Sequence, residues 1–236
     1  GTVEECLYAS VMAFNWAERY QGPVMLLSEH SLAERAQNIR RPDLSKVPVE
    51  NRDVYTGNNG YRRYESEGIS PMPIPGQPGA YIANGSEHDI FGDTTHLAKH
   101  HIHMTERRFG KLKLLEDGHY ESENADAKIA VMPWGGSKGS VWESYEALTA
   151  EGVDLGWYYT MFLSPLPAKM LDELRSKDLV IVPELNYQGQ MAGILRMQGV
   201  KAEAITQFTG LPFGAKELAG RIKQLLAGAG EPTGAR

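Results

Sequence analysis

Cysteine is almost missing: Cys6 is the one example in 236 residues. A disulfide framework or an iron–sulfur cluster held by this chain is thereby excluded, which fits a cytoplasmic location. Positive charge is in deficit, with 24 Lys and Arg against 30 Asp and Glu for a formal net charge of −6. That balance argues against a nucleic-acid partner or a polybasic membrane surface. No apolar run approaches a membrane span, and no signal-peptide pattern opens the chain. What is present is a hydrophobic content of 42%, enough for a proper core, in a length suited to one large domain or one and a half ordinary ones.

Gly1 stands where an initiator Met is expected, and a helix follows at once. Thr2 and Glu5 have the spacing of a capping box, each side chain bonding the other's amide. A first helix with no strand before it makes a poor domain start, so Gly1 is read as a cut inside a longer chain rather than a processed terminus. Val3, Leu7, Val11, Phe14 and Ala17 mark an amphipathic helix to Tyr20, stopped by Gly22-Pro23. The apolar run Val24 to Leu27 has the pattern of a strand buried on both faces. A short helix is expected within Ser28–Gln37, then an irregular polar excursion from Arg40 to Gly68. Helical spacing resumes over Thr94–Glu116, and the acidic stretch Asp117–Asp126 reads as a linker and domain boundary. Beyond it, strands at Lys128–Pro133, Val153–Tyr159, Leu179–Pro183 and Lys201–Gln207 alternate with helices at Ser137–Glu151, Pro167–Ser176, Gln190–Met197 and Ala215–Leu226. Such βα alternation predicts a parallel sheet in an α/β fold. The Gly/Ala/Pro-rich tail after Leu226 is expected to be mobile.

The segment from Gly68 to Gly92 is the most informative. Pro71, Pro73 and Pro75 fix φ and remove donors, excluding helix and central strand. Ile69, Met72, Ile74 and the closing Glu87-His88-Asp89 favour an ordered, packed loop. Those last three residues suit either proton shuttling and substrate gripping or a network that pins the loop. Glu184 and Asn186 fall just past the C-terminal edge of the third of these strands, with Gln190 placed to cap the helix that follows; open α/β sheets take ligands there, or else these side chains satisfy loop backbone or meet another subunit. His96, His100 and His103 recur at helical spacing near Asp93, a possible metal-ligand face, with a solvated polar face as the plainer account. Gly135 to Ser140 resembles a phosphate cradle but lacks P-loop and dinucleotide spacing, so a tight strand-to-helix turn is favoured. The pairs Arg40-Arg41, Arg62-Arg63 and Arg107-Arg108 are anion-binding candidates, each more simply solvated surface.

Four ordered motifs carry a family resemblance: Gly-Ile-Ser-Pro…Ile-Pro-Gly…Glu-His-Asp…Gly at 68–92, Met-Pro-Trp-Gly-Gly-Ser-Lys-Gly at 132–139, Pro-Glu-Leu-Asn-Tyr-Gln-Gly-Gln at 183–190 and Thr-Gly-Leu-Pro-Phe at 209–213. Together with the opening Gly-Thr-Val-Glu-Glu-Cys, they resemble the alpha subunit of 2-oxoacid:ferredoxin oxidoreductases, especially the 2-oxoglutarate type. The resemblance implies the C-terminal part of a thiamine-enzyme pyrimidine-binding domain with a long connecting loop over residues 1–117. It implies a transketolase C-terminal-like α/β domain with a parallel sheet over 118–236. It further implies oxidative decarboxylation of a 2-oxoacid to an acyl-CoA with reduction of ferredoxin, in a heterodimer with a beta subunit. Thiamine diphosphate, Mg and an iron–sulfur cluster would then belong to the full complex and be bound mainly by other chains, none by this chain alone. The family's substrate motif, its pyrimidine-activating carboxylate and its substrate-binding arginine would lie upstream of Gly1. No catalytic residue and no metal ligand is therefore assigned here, and the isolated chain is expected to be inactive. Two alternatives stand beside this: a metal-dependent hydrolase on the His96/His100/His103 face, and a non-catalytic assembly domain.

Overall fold

The computed structural model describes residues 1–58 and 60–229. They group into two compact units, the first made of Gly1–Cys6, Leu27–Ile39 and Asp117 onward, the second of Leu7–Leu26 and Arg40–Glu116.

Unit 1 is built on a five-stranded sheet of β1 (Glu121–Glu123), β2 (Ile129–Val131), β3 (Gly156–Tyr159), β4 (Leu179–Glu184) and β5 (Ala202–Thr206). The spatial order is β1-β3-β2-β4-β5. All pairings are parallel except β1–β3, where Glu121 faces Tyr159 in an antiparallel register. Side chains alternate across the sheet as the strand period demands. Ala130, Met132, Val180 and Val182 join the core beneath α5 (Ala168–Arg175) and α6 (Gln190–Met197). Val131, Ile181, Trp157 and Ile205 join the opposite core beneath α4 (Lys138–Ala150) and α7 (Ala215–Ala229). The four expected strands and four expected helices are therefore present, with ends moved by up to three residues. β1 is a correction: it lies in the acidic stretch that reads as a linker, because an edge strand needs only one partner and can keep polar residues outward. The tail expected to be mobile begins inside α7, and residues 230–236 lie outside the described residues.

Unit 2 has little regular structure. It contains most of α1 (Val3–Tyr20), a single 3-10 turn at Leu44–Lys46 and α3 (Ala98–Gly110), followed by a 3-10 segment at Lys111–Leu115. The Thr2–Glu5 capping box at the start of α1 is formed, with Thr2 N donating to Glu5 Oε2 at 3.0 Å and Glu5 N to Thr2 Oγ1 at 3.1 Å. The short helix expected after Ser28 is α2 (His30–Ala33). The run Val24–Leu27 is not a strand. It is irregular, and Met25 and Leu27 are 81% and 72% exposed. An apolar run becomes a buried strand only when neighbours pair its backbone on both edges, and none does so among the described residues.

The segment 40–92 is held by side chains bonding to backbone rather than by ladders. Asn15 Nδ2 donates to Pro48 O at 2.8 Å and its Oδ1 accepts from Glu50 N at 2.9 Å. Tyr61 OH donates to Pro71 O at 2.5 Å. An isolated parallel bridge joins Val54 and Met72. Tyr61 lies 4.6 Å from Tyr55 and 5.8 Å from Tyr81 between ring centroids. Gly92 closes the loop at φ +98°, and a Cβ there would meet Ile82 O at 2.3 Å, so no other residue fits.

Candidate functional site

The triplet Glu87-His88-Asp89 does not converge. Its three side chains serve three different roles. Glu87 accepts from Arg108 Nη2 at 2.9 Å and pairs with His101 Nδ1, both on α3. The Arg108 guanidinium, then the His101 contact, holds the Glu87 carboxyl down at about 2. His88 is buried, with Nδ1 3.1 Å from Asp89 O and its ring 4.1 Å from that of Tyr64. Asp89 Oδ1 accepts from Phe91 N at 2.8 Å and Asp93 N at 3.2 Å, the Asx geometry of a turn. These contacts anchor both ends of the loop's last turn.

Glu184 and Asn186 form a second polar group. Glu184 is fully buried at the end of β4. Its carboxylate accepts from Met191 N and Ala192 N, each at 2.9 Å, from Asn186 Nδ2 at 2.8 Å and from Trp134 Nε1 at 3.3 Å. Asn186 Oδ1 accepts from Gly189 N at 2.8 Å and Gln188 N at 3.1 Å. The two side chains thus satisfy orphan amides at the start of α6, where a negative charge also suits the helix dipole. Gly189 makes this possible at φ +65°, with a Cβ position only 2.7 Å from Ala204 Cβ. Gln190 is exposed on the first turn.

The histidine face loses its geometry. α3 starts at Ala98, so His96 lies outside the helix; His101 turns to Glu87. Among the described residues no group of three His, Cys, Asp or Glu side chains is placed to share a metal ion. The hydrolase alternative is left without a ligand set. Gly135–Ser137 is a 3-10 turn leading into α4, and Ser137 Oγ donates to Trp134 O at 2.8 Å. Lys138 is engaged elsewhere. Its ammonium binds Glu5 and, at 2.6 Å, Glu121, and sits 4.0 Å from the centre of the Tyr159 ring. Tyr159 OH donates to Glu5 Oε2 at 2.9 Å. Burial works against the Glu5 charge, but Lys138, the terminal amine and Tyr159 outweigh it and bring the carboxyl to about 2.

Two of the three arginine pairs split, whereas Arg40 and Arg41 are both exposed. Arg62 and Arg108 are exposed and meet Glu65 and Glu87, whereas Arg63 and Arg107 are buried. Arg63 donates to Ser70 O at 3.1 Å and Gln21 Oε1 at 2.7 Å, and Arg107 Nε donates to Ser66 O at 2.9 Å. Sequence reasoning marks the pairs but not their buried members, nor Gln21 and Lys111 beside them. Adjacent residues diverge in direction, and nothing in a dipeptide says which one turns inward.

Comparison with known proteins places this architecture. Residues 1–107 match the family model described as pyruvate flavodoxin/ferredoxin oxidoreductase, thiamine diP-bdg. Subunit alpha of 2-oxoacid:ferredoxin oxidoreductase 2 from Aeropyrum pernix is 33% identical over 94% of this chain and 37% of its own length. The 2-oxoglutarate oxidoreductase subunit KorA from Mycobacterium tuberculosis is 28% identical over 95% of this chain and 35% of its own. A solved 2-oxoglutarate:ferredoxin oxidoreductase from Magnetococcus marinus, with 2-oxoglutarate, coenzyme A and succinyl-CoA bound, superposes with a TM-score of 0.88 at 35% identity, covering 94% of this chain and 41% of that one. Over nearly its whole length the chain is thus similar to 2-oxoacid:ferredoxin oxidoreductase alpha subunits, and it spans between a third and a half of the length of these relatives.

Proposed function

We propose that this chain is part of a thiamine-diphosphate-dependent oxidoreductase that converts a 2-oxoacid, with 2-oxoglutarate as the first choice, and coenzyme A to an acyl-CoA while reducing ferredoxin. The observation that carries this reading is the superposition on the Magnetococcus marinus enzyme over nearly the whole chain at 35% identity. In this reading residues 1–117 complete a pyrimidine-binding domain and 118–236 are a transketolase C-terminal-like domain. Thiamine diphosphate supplies the carbanion chemistry when bound. Its diphosphate needs an oxygen-ligated divalent ion. By the resemblance, Mg, the iron–sulfur cluster and the catalytic residues are assigned in this reading to other polypeptide, chiefly a beta subunit, in a cytoplasmic heterodimer.

What this chain contributes is position. Glu87, His88 and Asp89 fix the loop 68–92, and Glu184 with Asn186 fixes the β4–α6 corner. A role in assembly is favoured by exposed apolar side chains, with Phe14 76% and Met25 81% accessible, which suit cover by further polypeptide. The test is viologen reduction by 2-oxoglutarate and coenzyme A. The chain alone is expected to give none, and the chain assembled with a cluster-bearing subunit is expected to turn over. Reduction by the isolated chain, or an assembled complex inert toward every 2-oxoacid, would overturn the reading.

A further inference from the structure

Three positive charges, on Arg63, Arg107 and Lys111, gather in unit 2 without a carboxylate on any of them among the described residues. Arg63 and Arg107 are each 7% exposed. Both guanidinium groups lie over the Tyr64 ring, at 5.8 and 5.4 Å from its centroid, and the Lys111 ammonium lies 4.5 Å from that of Tyr20. Lys111 Nζ donates to Gln21 O at 3.3 Å. Carbonyl oxygens and ring faces solvate a cation without cancelling its charge. Burial, then the charges of Arg107 and Arg63, bring the Lys111 ammonium down to about 8, and burial with Arg63 lowers Arg107 as well.

The surroundings are organised around this cluster. Gln21 adopts a left-handed backbone at φ +50°, a conformation that a residue other than glycine keeps only where its neighbours enforce it. From there its Oε1 takes Arg63, its carbonyl takes Lys111 and its Nε2 donates to Ser70 O at 2.8 Å. Arg107 donates through Nε alone, so among the described residues its two terminal nitrogens have no acceptor. That is the forked edge which grips a carboxylate or a phosphate through parallel hydrogen bonds. Like charges held close together in a largely buried place are costly, and an anion on the solvent-reachable forked edge of Arg107 would offset the repulsion that Arg63 and Lys111 also feel. We propose that Arg107, Arg63 and Lys111 form a binding site for a small oxyanion, carboxylate or phosphate, between the start of the 68–92 loop and the end of α3. The site does not depend on the oxidoreductase reading.

The test titrates the full chain with inorganic phosphate and, separately, with glutarate, against chloride at matched ionic strength. Lys111 is followed by NMR of its side-chain nitrogen. One or both oxyanions should saturate and return the Lys111 titration toward the ordinary lysine range, while chloride does not. Which anion saturates at lower concentration tells phosphate from carboxylate. Arg107→Gln should weaken binding at least about tenfold, Arg107→Lys should weaken it too because the fork is lost, and Arg62→Gln, an exposed neighbour, should leave it unchanged. Absence of saturable binding by both anions overturns the proposal, as does binding that Arg107→Gln leaves intact. If the Arg107 variants fail to fold, the parent decides: a Lys111 titration unmoved by high phosphate and glutarate overturns the site, and a saturating shift supports it.

Discussion

In unit 1 the Lys138 ammonium meets two carboxylates, Glu5 and Glu121, and rests on the Tyr159 ring. In unit 2 the guanidinium groups of Arg63 and Arg107 meet, among the described residues, carbonyls, an amide oxygen and tyrosine side chains but no carboxylate. The cores differ in the same sense. Unit 1 packs two apolar layers against an alternating sheet, whereas the 40–92 segment of unit 2 is tied by Asn15, Tyr61 and the two arginines to backbone oxygens. One unit is held by burial of apolar area, which tolerates no loss of volume. The other is held by directional polar bonds, each modest and each replaceable by water. Stability is therefore expected to concentrate in the first, and responsiveness to ligands or partners in the second.

Substitutions in each unit test that contrast. Trp157→Ala empties a fully buried position in the sheet core and should cost about 3–5 kcal/mol, read by urea denaturation with far-UV circular dichroism. Glu184→Ala leaves the amides of Met191 and Ala192 buried without acceptors; a loss of about 2–3 kcal/mol is expected, with faster hydrogen exchange at the start of α6. A cost under about 0.5 kcal/mol would show that water replaces the carboxylate. The Glu5 network gives a pH effect. Its folded pKa of about 2 lies below the ordinary value of 4.5, so its contribution is complete above the unfolded value and disappears as pH falls from 4.5 toward 2. Lys138→Met should flatten that acid limb, measured as midpoint temperature against pH. The smallest effect belongs to Glu87→Gln in unit 2. Its partners Arg108 and His101 are half or more exposed, so a loss of at most about 1 kcal/mol is expected. Hydrogen exchange should rise locally at the amides of residues 87–95 and nowhere else. A global loss as large as that of Trp157→Ala would erase the distinction between the units.

Particular elements show how far the sequence can be read. The capping box of Thr2 and Glu5 and the full length of α1 are legible because they depend on residues within one or two turns. Gln190–Met197 is legible for the same reason. Val24–Leu27 misleads, because a buried-strand pattern states what a segment can do when paired, and here nothing pairs it among the described residues. β1 is hidden in an acidic stretch because its place comes from the register with β3, which sets Glu121 opposite Tyr159 and Glu123 opposite Trp157 across a long separation in sequence. The triplet at 87–89 stands out in the sequence, while its division into three separate roles does not.

By itself the sequence determined the βα alternation, the capping box of Thr2 and Glu5 and the resemblance to 2-oxoacid:ferredoxin oxidoreductase alpha subunits. Each of these is written in local periodicity, capping chemistry or short ordered motifs. The tertiary structure alone decided that Arg63 and Arg107, not Arg62 and Arg108, turned inward, which polar side chains capped α6, and that Arg63, Arg107 and Lys111 came together without a counter-charge among the described residues. Those outcomes depend on contacts between segments far apart along the chain, where distance and burial fix the strength of a charge and local order does not.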